Sequence, residues 1–163
     1  MATIARHGRQ DAQPDRWLNA QTWTICRVTL PSAGYSGTPL PRKLGIKPGH
    51  VVLLDGAPDG FTLGPLADVT LHSRAAKGPY DVVVVFCPNR SRLERRFLPL
   101  AERLVSNGGL WVAWPKRSSG VPTDLDENQA RDVGLAAGLV DNKVCAIDET
   151  WSGLRFVYRL KDR

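Results

Sequence analysis

At 163 residues, the chain is long enough for one domain, or one domain with an extension, and its 42% apolar residues can supply a core. Its 22 Lys and Arg against 16 Asp and Glu give a formal charge of +6, which favours anionic partners or a solvated basic surface. Three widely spaced cysteines suggest no disulfide framework, and we find neither an apolar run of membrane-spanning length nor a signal-peptide pattern, so we expect a cytoplasmic protein with no membrane partner.

The first 33 residues differ in composition from the rest of the chain. They are rich in Gln, Asp, Arg and Pro and poor in aliphatic residues, with Trp17 and Trp23 as the main exceptions. We predict a flexible or loosely docked arm over residues 1–33, containing one edge strand at 22–30, and a single domain over residues 34–163.

The most informative stretch is residues 81–88, with the sequence DVVVVFCP. A strand with one wet face alternates apolar and polar residues, whereas this unbroken β-branched run is typical of a strand buried on both faces. Similar apolar runs occur at residues 51–54 and 110–114. The sequence therefore predicts an α/β fold with a mostly parallel, three-layer, Rossmann-like sheet and a central strand at 81–88.

Capping residues and helical spacing predict three helices. A short one spans residues 39–44, capped by Thr38 and ended by Gly45. A crossover helix begins at Ser91, which has capping-box spacing to Glu94, and ends at residue 106 before an Asn-Gly pair. A further helix begins at Thr123 and ends at residue 138.

Four further strands are predicted around these helices. Strands at residues 50–55 and 69–72 have no room for a long helix between them. Residues 143–147 and 154–160 form a closing antiparallel hairpin, in which Arg155 and Arg159 alternate with apolar residues as on a strand with one exposed face.

The order of these elements over residues 51–160 resembles the Rossmann-like fold of class I methyltransferases, which also ends in a hairpin. That resemblance implies S-adenosylmethionine as cofactor, a GxGxG turn after the first strand and an acidic residue at the end of the second. Here the turn reads Asp55-Gly56-Ala57-Pro58-Asp59-Gly60, and the second strand ends at His72-Ser73-Arg74. Pro58 also removes an amide. These departures disfavour S-adenosylmethionine.

A second resemblance covers most of the chain after Tyr35. The segments GYSGTPLPRKLGIKPG (34–49), WPK (114–116), GVPTDL (120–125) and GLVDNKVCAIDETWSGLRFV (138–157) resemble a family of small bacterial proteins of unknown function. Because that family has no assigned activity, the resemblance implies no catalytic residue.

Ligands of open parallel sheets bind beyond the carboxyl ends of the strands, where the strand order reverses. If the first strand lies between the second and the central strand, the turns at 55–60, 88–92 and 114–119 meet there. We expect a site for a small anion or nucleotide at these turns, aided by the amides that begin the crossover helix. A set of solvated basic loops is the competing interpretation. The candidate ligand-binding residues are Asp55, Gly56, Gly60, Asn89, Arg90, Arg92, Trp114, Lys116 and Arg117.

Other potentially reactive residues form no recognisable motif. The three histidines have no metal-ligand spacing, so we expect no metal site, and no nucleophile lies in a GxSxG pattern. Asp148 and Glu149 could form an acid–base pair, but their position between two strands favours a turn. The tryptophans at 111, 114 and 151 are expected in the core.

Three functions remain open from the sequence, and it does not decide whether the protein is an enzyme. The first is a Rossmann-like domain without a catalytic motif that binds a small anionic ligand or a protein partner. The second is a reduced S-adenosylmethionine-dependent methyltransferase. The third is a nucleic-acid-binding module, for which the sequence offers an arginine stripe on the crossover helix at positions 92, 95, 96 and 103.

Overall fold

The computed structural model describes residues 37–163, so the arm predicted over residues 1–33 lies outside the described residues. In the described part, the strands are β1 (Val51–Asp55), β2 (Thr70–His72), β3 (Tyr80–Phe86), β4 (Leu104–Pro115), β5 (Val140–Ala146) and β6 (Trp151–Val157). The α-helices are α1 (Leu40–Leu44), α2 (Arg90–Ala101) and α3 (Glu127–Ala136), and short 3₁₀ turns occur at Arg117–Ser119 and Leu160–Asp162. No helix in this part of the chain is both long enough and apolar enough to span a membrane.

The six described strands form one sheet in the order β2-β1-β3-β4-β6-β5. β2, β1, β3 and β4 pair in parallel, and β6 runs antiparallel to both β4 and β5. The predicted α/β class, the parallel sheet and the closing hairpin are therefore confirmed. β1 lies between β2 and β3, which is the strand-order reversal that the site prediction requires.

The central strand is buried on both faces, as its composition predicts. Val83, Val84, Val85 and Phe86 are each fully inaccessible to solvent. Val83 and Val85 face a core with Leu93 and Phe97 of α2, and α3 covers the same side of the sheet. This side buries most of the apolar surface of the two long helices.

The opposite face of the sheet has a thinner cover in the described residues. Val84 and Phe86 pack there with Leu44 of α1, and with Leu63 from the long β1–β2 connection. The three predicted core tryptophans, Trp111, Trp114 and Trp151, are all buried, which confirms that prediction.

The crossover helix differs from its prediction at both ends. α2 begins at Arg90, and its cap is Asn89, whose Oδ1 accepts a hydrogen bond from the Arg92 amide at 2.9 Å, so the predicted Ser91 cap is wrong. α2 ends at Ala101, two residues after Pro99, instead of at residue 106. Leu104 fits the helical spacing, but it begins β4 and is the register partner of Tyr80 in the sheet. Strand pairing has overridden local helical periodicity here.

The last helix and the hairpin also need corrections. α3 begins after Asp126, which forms a capping box with Gln129, and not at Thr123. β5 begins at Val140 and β6 at Trp151, both three residues earlier than predicted. Leu160 lies beyond β6 with 83% of its surface exposed, so its predicted place on the inner face is wrong.

At α1, Gly45 ends the helix in the left-handed conformation, with φ of 77°, as predicted. The cap position is occupied by Pro39, with no side-chain hydrogen bond, so Thr38 is not the cap. Trp111 Nε1 donates a hydrogen bond of 3.0 Å to the Leu44 carbonyl, which fixes the end of α1 on the sheet.

Candidate functional site

The three turns predicted to meet do lie at one edge of the sheet. β1, β3 and β4 are adjacent and parallel, with Asp55 in register with Val85 and Val85 in register with Val112. Their carboxyl ends therefore face the same side, which we call the carboxyl edge. The candidate residues of the sequence prediction follow or end these strands.

A buried carboxylate holds two arginines at this edge. Asp55 is only 6% exposed, and Arg96 binds it in a bidentate manner, with Nε 3.0 Å from Oδ2 and Nη2 2.5 Å from Oδ1. Arg92 adds a contact of 3.2 Å from Nη2 to Oδ2 and donates from Nε to the Phe86 carbonyl at 2.8 Å. We call Asp55, Arg92 and Arg96 the carboxyl-edge cluster. The hydrogen bond with Asp55 raises the pKa of Arg96, so the cluster is a fixed charged unit.

Arg96 was not among the predicted site residues, although the sequence carried a signal for it. Arg92 and Arg96 are four residues apart on α2, which places both side chains on one helix face. A buried acidic residue at the end of a neighbouring strand then has two cations within reach.

Gly56 accommodates this cluster because it has no side chain. A Cβ at this position would lie 2.1 Å from Arg92 Nη2, and the φ of Gly56 is +69°. The guanidinium of Arg92 therefore lies against the backbone of the turn after β1. Gly60, at the end of the same turn, has a φ of +78° with open space around its Cβ position. The positive φ, and not a steric contact, therefore explains the glycine at this position.

Two of the helix amides that were expected to attract an anion already have acceptors. The Arg90 amide donates to Asp124 Oδ1 at 2.8 Å, and the Arg92 amide donates to Asn89. The Arg90 side chain pairs with Glu94 at 2.7 Å, where both side chains are about half exposed. The first turn of α2 thus closes with acceptors from the protein itself.

The third turn gives a similar result for two of its three candidates. Lys116 Nζ donates to the Asp148 carbonyl at 2.6 Å, and Trp114 is 6% exposed in the core. Arg117 is 91% exposed and reaches Asp126 only at 3.7 Å. Asp148 Oδ1 accepts hydrogen bonds from the Thr150 and Trp151 amides, which supports its predicted role as a turn residue.

The predicted arginine stripe is divided among internal contacts. Arg92 and Arg96 turn towards Asp55, while Arg95 Nε donates to the Ser91 carbonyl at 3.3 Å. Arg103 lies beyond the end of α2 and donates to the Ala76 carbonyl at 2.7 Å. These four side chains therefore form no continuous basic face.

Cys87 follows β3 beneath the carboxyl-edge cluster and is fully buried. Burial raises the pKa of its thiol to about 12, an effect opposed by Arg92 and reinforced by Asp55. The thiol is therefore protonated at neutral pH and is a poor nucleophile.

A second group of charged residues lies at the opposite, amino end of the parallel strands, and sequence reasoning missed it. A cavity of about 220 Å³ opens there between α1, the start of β1 and the β5–β6 hairpin. We call it the amino-edge pocket. Its charged or titratable lining residues are Lys43, Lys47, His50, Asp81, Lys143 and Arg155.

The pocket is built from elements that the fold holds in place. The Trp111–Leu44 hydrogen bond fixes the end of α1, which carries Lys43. Lys143 and Arg155 are register partners on β5 and β6, and Lys143 Nζ donates to the Lys43 carbonyl at 2.7 Å. Asp81 Oδ2 accepts a hydrogen bond of 2.8 Å from the Val51 amide.

Arg155 is the unusual residue of this pocket. Its Nε is buried and has no hydrogen-bond partner among the described residues. A Cβ on Gly109 would lie 2.4 Å from this Nε, so the guanidinium lies against the β4 backbone where only glycine leaves room. Burial, reinforced by Arg163, lowers the pKa of Arg155. The strand pattern predicts an exposed face for Arg155, and the sequence predicts that Asn107-Gly108 follows the end of the crossover helix.

Comparison with known proteins gives a fold and no family. The chain matches no family model and no curated protein. Among solved structures it resembles a SAM-dependent methyltransferase from Aquifex aeolicus, with a TM-score of 0.54 and 14% identity over 71% of this chain and 85% of that one. It also resembles the fibrillarin pre-rRNA processing protein of Methanococcus jannaschii, with a TM-score of 0.51 and 14% identity over 77% and 71% of the two chains. A TehB-like SAM-dependent methyltransferase from Corynebacterium glutamicum gives 0.50 and 11% over 78% and 91%.

The fold is therefore that of the class I SAM-dependent methyltransferases, as the order of elements suggested. Identities this low establish the fold alone. The cofactor that the fold implies can be tested against the residues at the β1 turn. Arg92 fills the space over Gly56, and His72, at the end of β2, lies 3.1 Å from the Tyr80 hydroxyl instead of presenting a carboxylate. The residues present do not fit S-adenosylmethionine at this turn.

Proposed function

We propose that this protein is a methyltransferase-like domain that binds a small anionic ligand and does not carry out S-adenosylmethionine chemistry. The observation that carries the proposal is the carboxyl-edge cluster. In it, Arg92 and Arg96 of α2 neutralise Asp55, and Arg92 also lies over the Gly56 turn. A cofactor seated there would have to displace Arg92 from its ion pair with Asp55, a carboxylate that is only 6% exposed.

The net charge supports an anionic ligand as the partner. The chain carries +6, and Lys43, Lys47, Lys143 and Arg155 line the amino-edge pocket with Asp81 as the single carboxylate. A protein partner remains the alternative for a domain without catalytic chemistry. It is less favoured because the cation-rich pocket is concave and small, which suits a small molecule better than a flat protein surface.

The same contacts weigh against the other two functions. Nucleic-acid binding through α2 would need arginines that are available for phosphates, whereas Arg92 and Arg96 are held by Asp55. Methyl transfer would need the cofactor turn that Arg92 fills. As part of the proposal we place the protein in a reducing compartment such as the cytoplasm, since Cys87 and Cys145 are free thiols.

The test is titration calorimetry of the full chain with S-adenosylmethionine and S-adenosylhomocysteine. We expect no binding heat from either compound at concentrations up to the millimolar range. The matched sample is Arg92→Ala, which clears the space over Gly56 and keeps the Arg96–Asp55 pair. Stoichiometric binding of either compound to the wild type would overturn the proposal and favour a methyltransferase.

A further inference from the structure

The amino-edge pocket is lined by an excess of basic side chains, which an anionic ligand would neutralise. Lys43, Lys47, Lys143 and Arg155 line it together with a single carboxylate, that of Asp81. Among residues 37–163, no ion pair involves Lys47, Lys143 or Arg155. Charges of one sign lining a concave site reinforce one another's potential, so the pocket attracts anions.

Arg155 adds a specific requirement to this general attraction. A buried donor without a partner costs free energy, and Arg155 Nε is such a donor among the described residues. The planar guanidinium matches an oxyanion with two or more acceptor oxygens, because it can offer parallel N–H donors. Arg155 lines the pocket, so an oxyanion there would meet this guanidinium, whose Nε is covered and has no partner among the described residues.

The size of the cavity limits the ligand. About 220 Å³ corresponds to about seven water molecules at roughly 30 Å³ each. Pockets for whole drug-sized ligands are usually about 300–1,000 Å³. The volume suits a small oxyanion, or the charged end of a larger molecule whose remainder stays outside.

We infer that the amino-edge pocket binds a multiply charged phosphate-class oxyanion, held by Arg155, Lys143 and Lys47. A phosphate group carries up to two charges at neutral pH, which balances the excess of cations better than one carboxylate does. This inference names the ligand class and the site of the anion-binding role proposed above, and it rests on that proposal. The site lies at the end of the sheet opposite the β1 turn.

The experiment measures binding to the full chain in buffers of constant ionic strength, with chloride as the balancing anion. The probes are inorganic phosphate, diphosphate, adenosine 5′-monophosphate and adenosine, each followed by thermal shift and calorimetry. We expect the phosphate-bearing probes to bind and to raise the melting temperature. Binding of the mononucleotide but not adenosine identifies the phosphate of a larger molecule as ligand, whereas binding of the inorganic ions alone identifies a free ion. Either result supports the inference.

Three pocket variants and a control test the assignment. Lys143→Gln and Lys47→Gln each remove one charge from an exposed side chain and should weaken binding about tenfold, the loss of one charge-assisted hydrogen bond. Arg155→Lys keeps the charge but removes the planar fork and should weaken binding by a similar factor. Lys77→Gln makes the same charge change at an exposed position outside the pocket and should leave the affinity unchanged.

The inference fails if no phosphate-bearing probe binds, or if Lys77→Gln weakens binding as much as the pocket variants do. It also fails if binding survives unchanged in all three pocket variants, which would place the anion elsewhere. Each of these results differs from binding of S-adenosylmethionine, which would refute the proposed function on separate grounds.

Discussion

The basic residues at the two ends of the sheet differ in their ion pairing. At the carboxyl edge, Arg92 and Arg96 share the buried carboxylate of Asp55. At the amino edge, Lys47, Lys143 and Arg155 take part in no ion pair with a described residue, and Arg155 has a buried nitrogen without a partner. The first arrangement has its electrostatic balance within the described part of the protein, whereas in the second these three side chains have no ion-pair partner among residues 37–163.

This difference shows why charge in a loop is weak evidence for a binding site. Five basic or amide residues near the carboxyl ends of the strands looked like an anion site, but most are engaged in caps, ion pairs and turns. A site is better indicated by a buried polar group whose partner is missing. The following substitutions test that distinction by altering each edge in turn.

The largest effect is expected from Asp55→Asn. The change leaves two guanidinium groups side by side and turns an amide NH₂ towards one of them, so we expect a loss of about 3 kcal/mol in the free energy of unfolding. Urea denaturation measures the loss. Asp59→Asn, on an exposed residue of the same turn, should change stability by no more than about 0.5 kcal/mol. Equal losses from both variants would mean that the cluster is not a stabilising unit.

Gly56→Ala should cost about 2 kcal/mol, from the left-handed backbone and from the contact with Arg92. Gly60→Ala is the matched control, because its φ is also positive but its Cβ position is open, so only the backbone part of about 1 kcal/mol should be lost. The double variant Gly56→Ala/Arg92→Ala should recover the steric part, seen as a coupling energy in a double-mutant cycle. Indistinguishable losses at Gly56 and Gly60 would show that Arg92 does not lie over the turn.

The buried thiol of Cys87 makes the free energy of unfolding depend on pH, and this dependence tests the packing at the same edge. Burial raises its pKa from 9.0 to about 12 in the folded protein, so the thiol ionises first in the unfolded chain. Its contribution to stability is complete below pH 9 and is lost as the pH rises towards 12, with a slope of at most about 1.4 kcal/mol per pH unit. Denaturation curves of the wild type and Cys87→Ala between pH 8 and 11 measure it, since other titrating groups cancel in the difference. Parallel pH profiles would show that water reaches this thiol.

The sequence predicted the carboxyl edge in outline because its evidence is local. The unbroken valines of β3 placed the central strand, and the turn residues after β1 placed Asp55 and Gly56 at its end. Of the two arginines that pair with Asp55, the sequence identified only one as a site residue. Arg92 was named for its position in a turn, whereas Arg96 pairs with Asp55 across 41 positions of sequence.

The amino-edge pocket could not be predicted because its residues come from distant parts of the chain. Lys43 and Lys143 are 100 positions apart and meet only when α1 docks beside β5. Arg155 fits the period-two pattern of a strand with a solvated face, and nothing in that pattern shows that its Nε is covered. β4 begins at Leu104, before the apolar run at residues 110–114, and Gly109 beside Arg155 lies in this additional part of the strand.

The smallest effect is expected at this pocket, and its sign is the informative part. In chloride buffer, Arg155→Met should raise the free energy of unfolding by about 0.5 kcal/mol, because it removes a buried donor that has no partner within residues 37–163 and keeps apolar contact with the sheet. The same substitution at the other edge, Arg92→Met, should lower stability by about 1–2 kcal/mol, since it takes a partner from Asp55. Phosphate should reverse the first result, stabilising the wild type but not Arg155→Met. An arginine that destabilises the free protein, and stabilises it only when a ligand is bound, serves binding and not stability. Equal losses from the two arginine variants in chloride would instead make Arg155 an ordinary structural residue.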